Sequence, residues 1–251
     1  NVNAKCVQAI DFNSLGNANS TIEIAEAGLY GYFTGNGNST TTFNPNISLK
    51  GDLTIQNANS STTHIFAGND ISGWQGSLLQ TRNESSENIW TTNINLNGKA
   101  TVVNATIDAL AVLKDGDGND LTTEGNYLNL FVDNSGKTTT FNKDVTVSKL
   151  RTSSAIALGE GVTLTLTQDN GDTGTGSTIS NITAHDGGNT IELKSGATLS
   201  RIASKSGGTL TLKGAGTYDM RGNLTENVAG LNAADWTGKV IVSGTIAGKN
   251  L

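Results

Sequence analysis

Val162-Thr163-Leu164-Thr165-Leu166-Thr167 alternates aliphatic and hydroxyl side chains without a break. A β-strand turns successive side chains to opposite faces, so Val162, Leu164 and Leu166 share one face and the threonines the other. The pattern returns at Thr190-Ile191-Glu192-Leu193 and at Thr209-Leu210-Thr211-Leu212, each time after glycine: Gly161, Gly187-Gly188 and Gly207-Gly208. Gly188 to Gly207 is 19 residues and Gly161 to Gly188 is 27. The eight-residue difference is the length of the polar stretch Asp169–Gly176, which reads as a loop inserted into one turn of a repeating coil. Short strands recurring about every 20 residues are the mark of a solenoid.

Earlier segments follow the same grammar less regularly: Thr21-Ile22-Glu23-Ile24, Asp52-Leu53-Thr54-Ile55, Ile94-Asn95-Leu96-Asn97, Ala100-Thr101-Val102-Val103 and Asp144-Val145-Thr146-Val147. Composition agrees. Of 251 residues 31 are Gly and one, Pro45, is Pro, while charged residues are only 15%. A long ladder tolerates little proline, which has no N–H to donate. Recurrent Thr, Ile, Val and Leu argue against a disordered chain of the same polarity. Most breaks are longer than the two-residue turns of hairpins. The expected fold is therefore all-β, a right-handed parallel β-helix, with a β-sandwich of Greek-key connections as the alternative. Residues 1–47 are expected to form an N-terminal cap or irregular β region, and 48–251 a β-helix in one continuous solenoid domain. Inward Ile, Leu and Val would stack from coil to coil, hydroxyls would line the outside, and Asn would form ladders at the bends. Val103–Leu113 has partly helical spacing and fits either helix or strand, and Ser77–Asn93 reads as an exposed excursion.

Gly207-Gly208-Thr209-Leu210-Thr211-Leu212-Lys213-Gly214-Ala215-Gly216-Thr217-Tyr218 resembles the passenger-associated repeat of bacterial autotransporters. Trp74-Gln75-Gly76-Ser77-Leu78 and Trp236-Thr237-Gly238-Lys239-Val240 share a Trp-X-Gly turn also found in such passengers. The match in motif covers about 45 C-terminal residues, and the rest agrees in style. The resemblance implies export across a Gram-negative outer membrane, a place at the cell surface or outside it, and a membrane barrel translocator further along the natural chain. That barrel is not expected in this segment, whose aromatic content is 5%. No signal peptide is visible at Asn1, which fits a chain that begins after one was removed or an excised passenger portion.

Few residues point to catalysis. The net charge is −6 with no Lys/Arg cluster, which argues against nucleic acid as a partner. The longest strictly apolar run, Ala109–Leu113, is too short to enter a membrane. Cys6 is the single cysteine and reads as an incidental thiol. Asp115-Gly116-Asp117-Gly118-Asn119-Asp120 alternates oxygen ligands as a calcium loop does. It departs from that pattern at Asp120 and Asn126, and reads better as a turn. The two histidines suggest no site: His64 is expected in a strand and His185-Asp186 in a turn. Stacked coils could bring Glu192 and Asp219 together as a glycosidase pair, which needs carboxylates about 5 to 10 Å apart. Asn104, Asn181 and Asn223 open Asn-X-Thr triplets that chance explains in so Asn- and Thr-rich a chain. Tyr30, Tyr32 and Phe33 are expected to cover the end of the coil stack.

No catalytic, cofactor or metal site is therefore assigned. The expected role is adhesion: a surface passenger that binds host or cell-surface glycans or proteins, or a second copy of itself, through a hydroxyl- and amide-rich face. A polysaccharide-processing enzyme and an inert stalk are the alternatives.

Overall fold

The structure, a computed structural model, describes residues 21–24, 29–33, 39–42, 46–49, 53–57, 62–67, 78–82, 91–97, 102–109, 127–134, 136–167, 176–219 and 231–241. These form 23 strands, with no helix among the described residues. The first sheet stacks β2 (Leu29–Phe33), β5 (Leu53–Asn57), β7 (Leu78–Arg82), β10 (Ile107–Asp108), β13 (Val145–Val147), β16 (Thr163–Leu166), β18 (Asn189–Leu193), β20 (Leu210–Gly214) and β22 (Leu231–Trp236). The second stacks β3 (Ser39–Thr42), β6 (Thr62–Ala67), β8 (Thr91–Asn97), β11 (Tyr127–Asp133), β14 (Lys149–Thr152), β17 (Ser177–Ala184), β19 (Thr198–Gly207), β21 (Thr217–Asp219) and β23 (Lys239–Ile241). Off these two paths, β1 (Thr21–Ile24) pairs with β4 (Asn46–Leu49) as a sheet of its own, and a third side is made by β9 (Val102–Val103), β12 (Thr138–Phe141) and β15 (Ala155–Leu158), the last pairing with the far half of β17.

Every ladder is parallel. Strands that follow one another in sequence lie on different sides, and each pairs with the strand one coil away. This is a parallel β-helix, and a sandwich of antiparallel hairpins is excluded. The pairing reaches back to Thr21.

Register shows why the alternation matters. Leu29, Leu53, Leu78, Ile107, Val145, Leu164, Ile191, Leu212 and Leu231 follow one another through the first sheet as direct partners. From Ile107 to Leu212 each member is at most 2% exposed. A slip of one residue would turn the whole aliphatic set outward, so burial holds the register. The column crosses the long coil between Leu164 and Ile191 without a shift, so the extra residues leave the ladder undisturbed. On the second side Ile94, Leu130 and Leu150 form the equivalent column, and Leu199 and Tyr218 continue it at the C-terminal end. Tyr218 is 1% exposed, and burial pushes its hydroxyl up to about 12.

Two expectations change, and one open reading narrows. Val102–Val103 and Ile107–Asp108 are strands, the second of the two readings given for Val103–Leu113; residues 110–113 lie outside the described residues. Leu78–Arg82 and Thr91–Asn97 are ladder strands, so Ser77–Asn93 is not one exposed excursion; residues 83–90 lie outside the described residues. Hydroxyls also do not all face water. Thr139, Ser148, Thr152, Ser154, Thr167 and Ser177 are buried, mostly at corners where the chain changes side. There the backbone leaves the ladder and a side-chain oxygen takes the place of a carbonyl. Ser148 accepts the N–H of Leu128 at 3.1 Å, and Ser177 accepts that of Leu150 at 3.0 Å, each from the preceding coil.

Asn189 is the strongest such tie. Its Nδ2 donates to Gly159 O at 2.8 Å and Val162 O at 3.0 Å one coil back, while its Oδ1 accepts from His185 N at 2.7 Å. The asparagine is 5% exposed. Alanine would leave two carbonyls and one N–H without it, so Asn189→Ala should lower unfolding stability by about 2–3 kcal/mol, read from urea titration. A loss under about 0.5 kcal/mol would mean that water replaces the amide without penalty.

Candidate functional site

The turn chemistry places the outward surfaces. Lys194–Ala197 closes with a bond from Ala197 N to Lys194 O at 3.0 Å, and Gly196 at its third position has φ +88°. Type II turns need positive φ there, which glycine supplies freely. With corners so fixed, each side presents outward columns of side chains spaced by the strand separation, about 4.8 Å.

On the first side Asp144 caps the next coil by accepting Thr163 N at 2.8 Å. Glu192 lies between two lysines, 2.5 Å from Lys194 Nζ and 3.6 Å from Lys213 Nζ, its direct partner one coil on. The Lys194 hydrogen bond and both positive charges outweigh desolvation and hold the Glu192 carboxyl below its ordinary value. A depressed folded value stabilises above the unfolded pKa and loses that stability as pH falls through the folded one. Exposed pairs are worth little, so Glu192→Gln should cost about 0.5 kcal/mol near neutral pH. The difference from the parent should vanish once the medium is acid enough to protonate Glu192. Thermal midpoints along a descending pH series measure this.

That geometry also disposes of the glycosidase pair. Glu192 is on β18 of the first sheet and Asp219 on β21 of the second. The two carboxylates face different sides of the coil, and Glu192 is held by lysines. His64 is in β6, as expected of a strand residue, at the register position of Ile94. His185 belongs to a turn in which its Nδ1 accepts Gly187 N–H at 3.2 Å and Gly188 N donates to His185 O at 2.8 Å. Asn181 bonds to Ser204 one coil on, and Asn104 Oδ1 accepts from Asn142 Nδ2 at 2.8 Å. The second of these is an asparagine ladder at a bend. Among the described residues no three His, Cys, Asp or Glu side chains cluster as metal ligands. Cys6, Trp74, Asp115–Asp120 and Asn223 lie outside the described residues, as do the side-chain positions of Tyr30, Tyr32 and Phe33.

The arrangement with most chemical content is on the second side, and sequence reading did not single it out. A groove of about 380 Å³ runs over β8, β11 and β14, lined by Asn95, Phe131, Asp133, Arg151 and Ser153 above the buried Leu96, Val132 and Thr152. In β11, Leu128, Leu130 and Val132 point inward, so alternation turns Phe131 outward, where it stays partly exposed. Arg151, its register partner, lays its guanidinium carbon 6.0 Å from the Phe131 ring centroid. At that distance the ring holds the cation loosely in place. Ser153 Oγ donates to Asp133 Oδ1 at 2.7 Å across the same two coils, fixing the carboxylate. An apolar ring face, a guanidinium fork and a positioned carboxylate thus converge on one concavity of a rigid sheet. A concavity that combines apolar surface with a few convergent polar groups is the usual form of a ligand site.

Fold and groove together define a class: a parallel β-helix with a polar, aromatic-bearing concavity on one outward side. The chain matches no protein-family model, no curated protein and no solved structure.

Proposed function

We propose that this chain is the β-helical passenger of an exported bacterial surface protein and acts as an adhesin, with the Phe131–Arg151 groove as its contact site for glycans of host or cell surfaces. The groove carries the reading. Phe131 offers a ring to the apolar face of a sugar, while Arg151, Asp133 and Asn95 supply donors and acceptors for its hydroxyls. The autotransporter-like repeat at Gly207–Tyr218 supports the exported setting and, with it, a translocator barrel in the full-length protein.

Binding to an immobilised glycan panel and to whole cells tests this. Phe131→Ala and Arg151→Ala should each weaken binding roughly 10-fold or more, as loss of an interface aromatic or arginine does. Unchanged binding in both variants would remove the groove from the account. Turnover of a polysaccharide, lost on changing one carboxylate, would make the chain an enzyme. Neither binding nor turnover would leave a stalk.

A further inference from the structure

The second sheet's register extends the groove into a longer feature. Asn95, Phe131, Arg151, Thr178 and Arg201 follow one another as direct partners across five coils, all outward. Thr178 is partly exposed and Arg201 exposed. The two arginines are separated by one strand, so their backbones are about 10 Å apart along the coil axis. Asp133 is the one carboxylate among the residues lining the groove. It lies beside Phe131, away from Arg201, with Ser153 holding it. In a chain with 16 basic against 22 acidic residues, two arginines aligned on one column are a local departure from the overall charge.

We propose that this column takes a linear acidic polysaccharide laid along the coil axis, with one anionic group at Arg151 and the next at Arg201. The inference rests on the glycan-binding reading above and specifies its ligand. A guanidinium fork matches carboxylate or sulfate oxygens in paired hydrogen bonds. Two strand spacings approximate the repeat of an extended disaccharide, so a polymer charged on alternate sugars meets both arginines in phase. The uncharged sugar between them passes over Thr178, whose hydroxyl is a donor and an acceptor. The sugar before Arg151 stacks on Phe131 with its hydroxyls toward Asp133, where an anionic group would be repelled. The column thus sets both the charge of the ligand and its spacing. The protein's net charge of −6 opposes a polyanion at long range but is screened within about 8 Å at physiological salt, leaving the contact pairs to decide.

Calorimetry with hyaluronan, kappa-carrageenan and dextran tests the assignment: the first carries one carboxylate per disaccharide, the second one sulfate per disaccharide, and the third is neutral. At least one polyanion should bind about tenfold or more tightly than dextran, and Arg151→Gln and Arg201→Gln should each weaken it roughly tenfold. Lys143→Gln, at an exposed site elsewhere, should bind as the parent does. Fragments of the polyanion too short to span two coils should lose the dependence on Arg201 while keeping that on Arg151. Unchanged far-UV circular dichroism and thermal midpoint in the arginine variants show that they fold. Dextran binding as strong as that of the polyanions, lost in Phe131→Ala, would overturn the acidic ligand and leave the adhesin reading standing. Equal binding of polyglutamate or of single-stranded DNA would overturn the saccharide. No binding of any probe would overturn both.

Discussion

Gly214→Ala is expected to destabilise the protein by about 3–5 kcal/mol, seen as a large fall in urea midpoint. Two costs add at this position. Gly214 has φ +107°, which a residue with a Cβ rarely adopts. Its missing Cβ would also fall on the carbonyl oxygen of Leu193, one coil back. That oxygen cannot move away, because it accepts Ala215 N at 2.8 Å and Gly216 N at 3.0 Å. Backbone thus packs on backbone, and relief requires the coils to part. Strain of the first kind costs about 1–3 kcal/mol, and overpacking adds about as much. Gly136→Ala separates the two. Gly136 has φ +70°, but the place its Cβ would take has nothing within 4 Å, so the change should cost only about 1–2 kcal/mol. Equal losses at the two sites would show that coil contact at Gly214 contributes nothing.

Ile191→Ala should cost about 3–4 kcal/mol. Ile191 is fully buried, between Leu164 of one coil and Leu212 of the next. A deleted aliphatic side chain loses its transfer free energy, and a rigid ladder on either side cannot collapse into the space. The distribution of the damage is as informative as its size. In a solenoid each coil touches only its neighbours, so destabilisation should spread along the axis from the altered coil. Amide hydrogen exchange should accelerate most in β16, β18 and β20 and much less in β8 and β11. Uniform acceleration over all strands would indicate a single globular core.

Much of this fold is legible in the sequence because the residues that decide it are local. Val162, Leu164 and Leu166 show the inward side of their strand by alternation alone, and the spacing of glycines reports the coil length. What escapes reading depends on which coil lies beside which. Ser148 and Ser177 look like surface serines until the ladder places each under a backbone N–H of the coil before. Lys149 reads as an exposed charge yet is 2% exposed. β17 and β19 each run along two sides, so the break that usually separates strands is missing there. The groove is hidden for the same reason. Phe131, Arg151 and Arg201 are distant in sequence and meet only through register. One signal was available: in Leu128-Asn129-Leu130-Phe131-Val132 the aromatic is out of phase with the aliphatics, which is how an outward ring on a strand appears.

Distances between spin labels along one register column of the first sheet test the stacked-coil architecture most directly. Thr54, Leu79, Asp108, Thr146, Thr165, Glu192 and Lys213 are successive partners in the first sheet. In a Cys6→Ser background, cysteine pairs labelled at Thr54 with Lys213 and at Asp108 with Lys213 would be measured by pulsed electron paramagnetic resonance. Six strand spacings should separate the first pair by about 29 Å and four the second by about 19 Å, before allowance for label length. The difference of about 10 Å between the pairs is the predicted result. Equal distances, or a shorter one for the pair further apart in the column, would contradict a parallel coil stack.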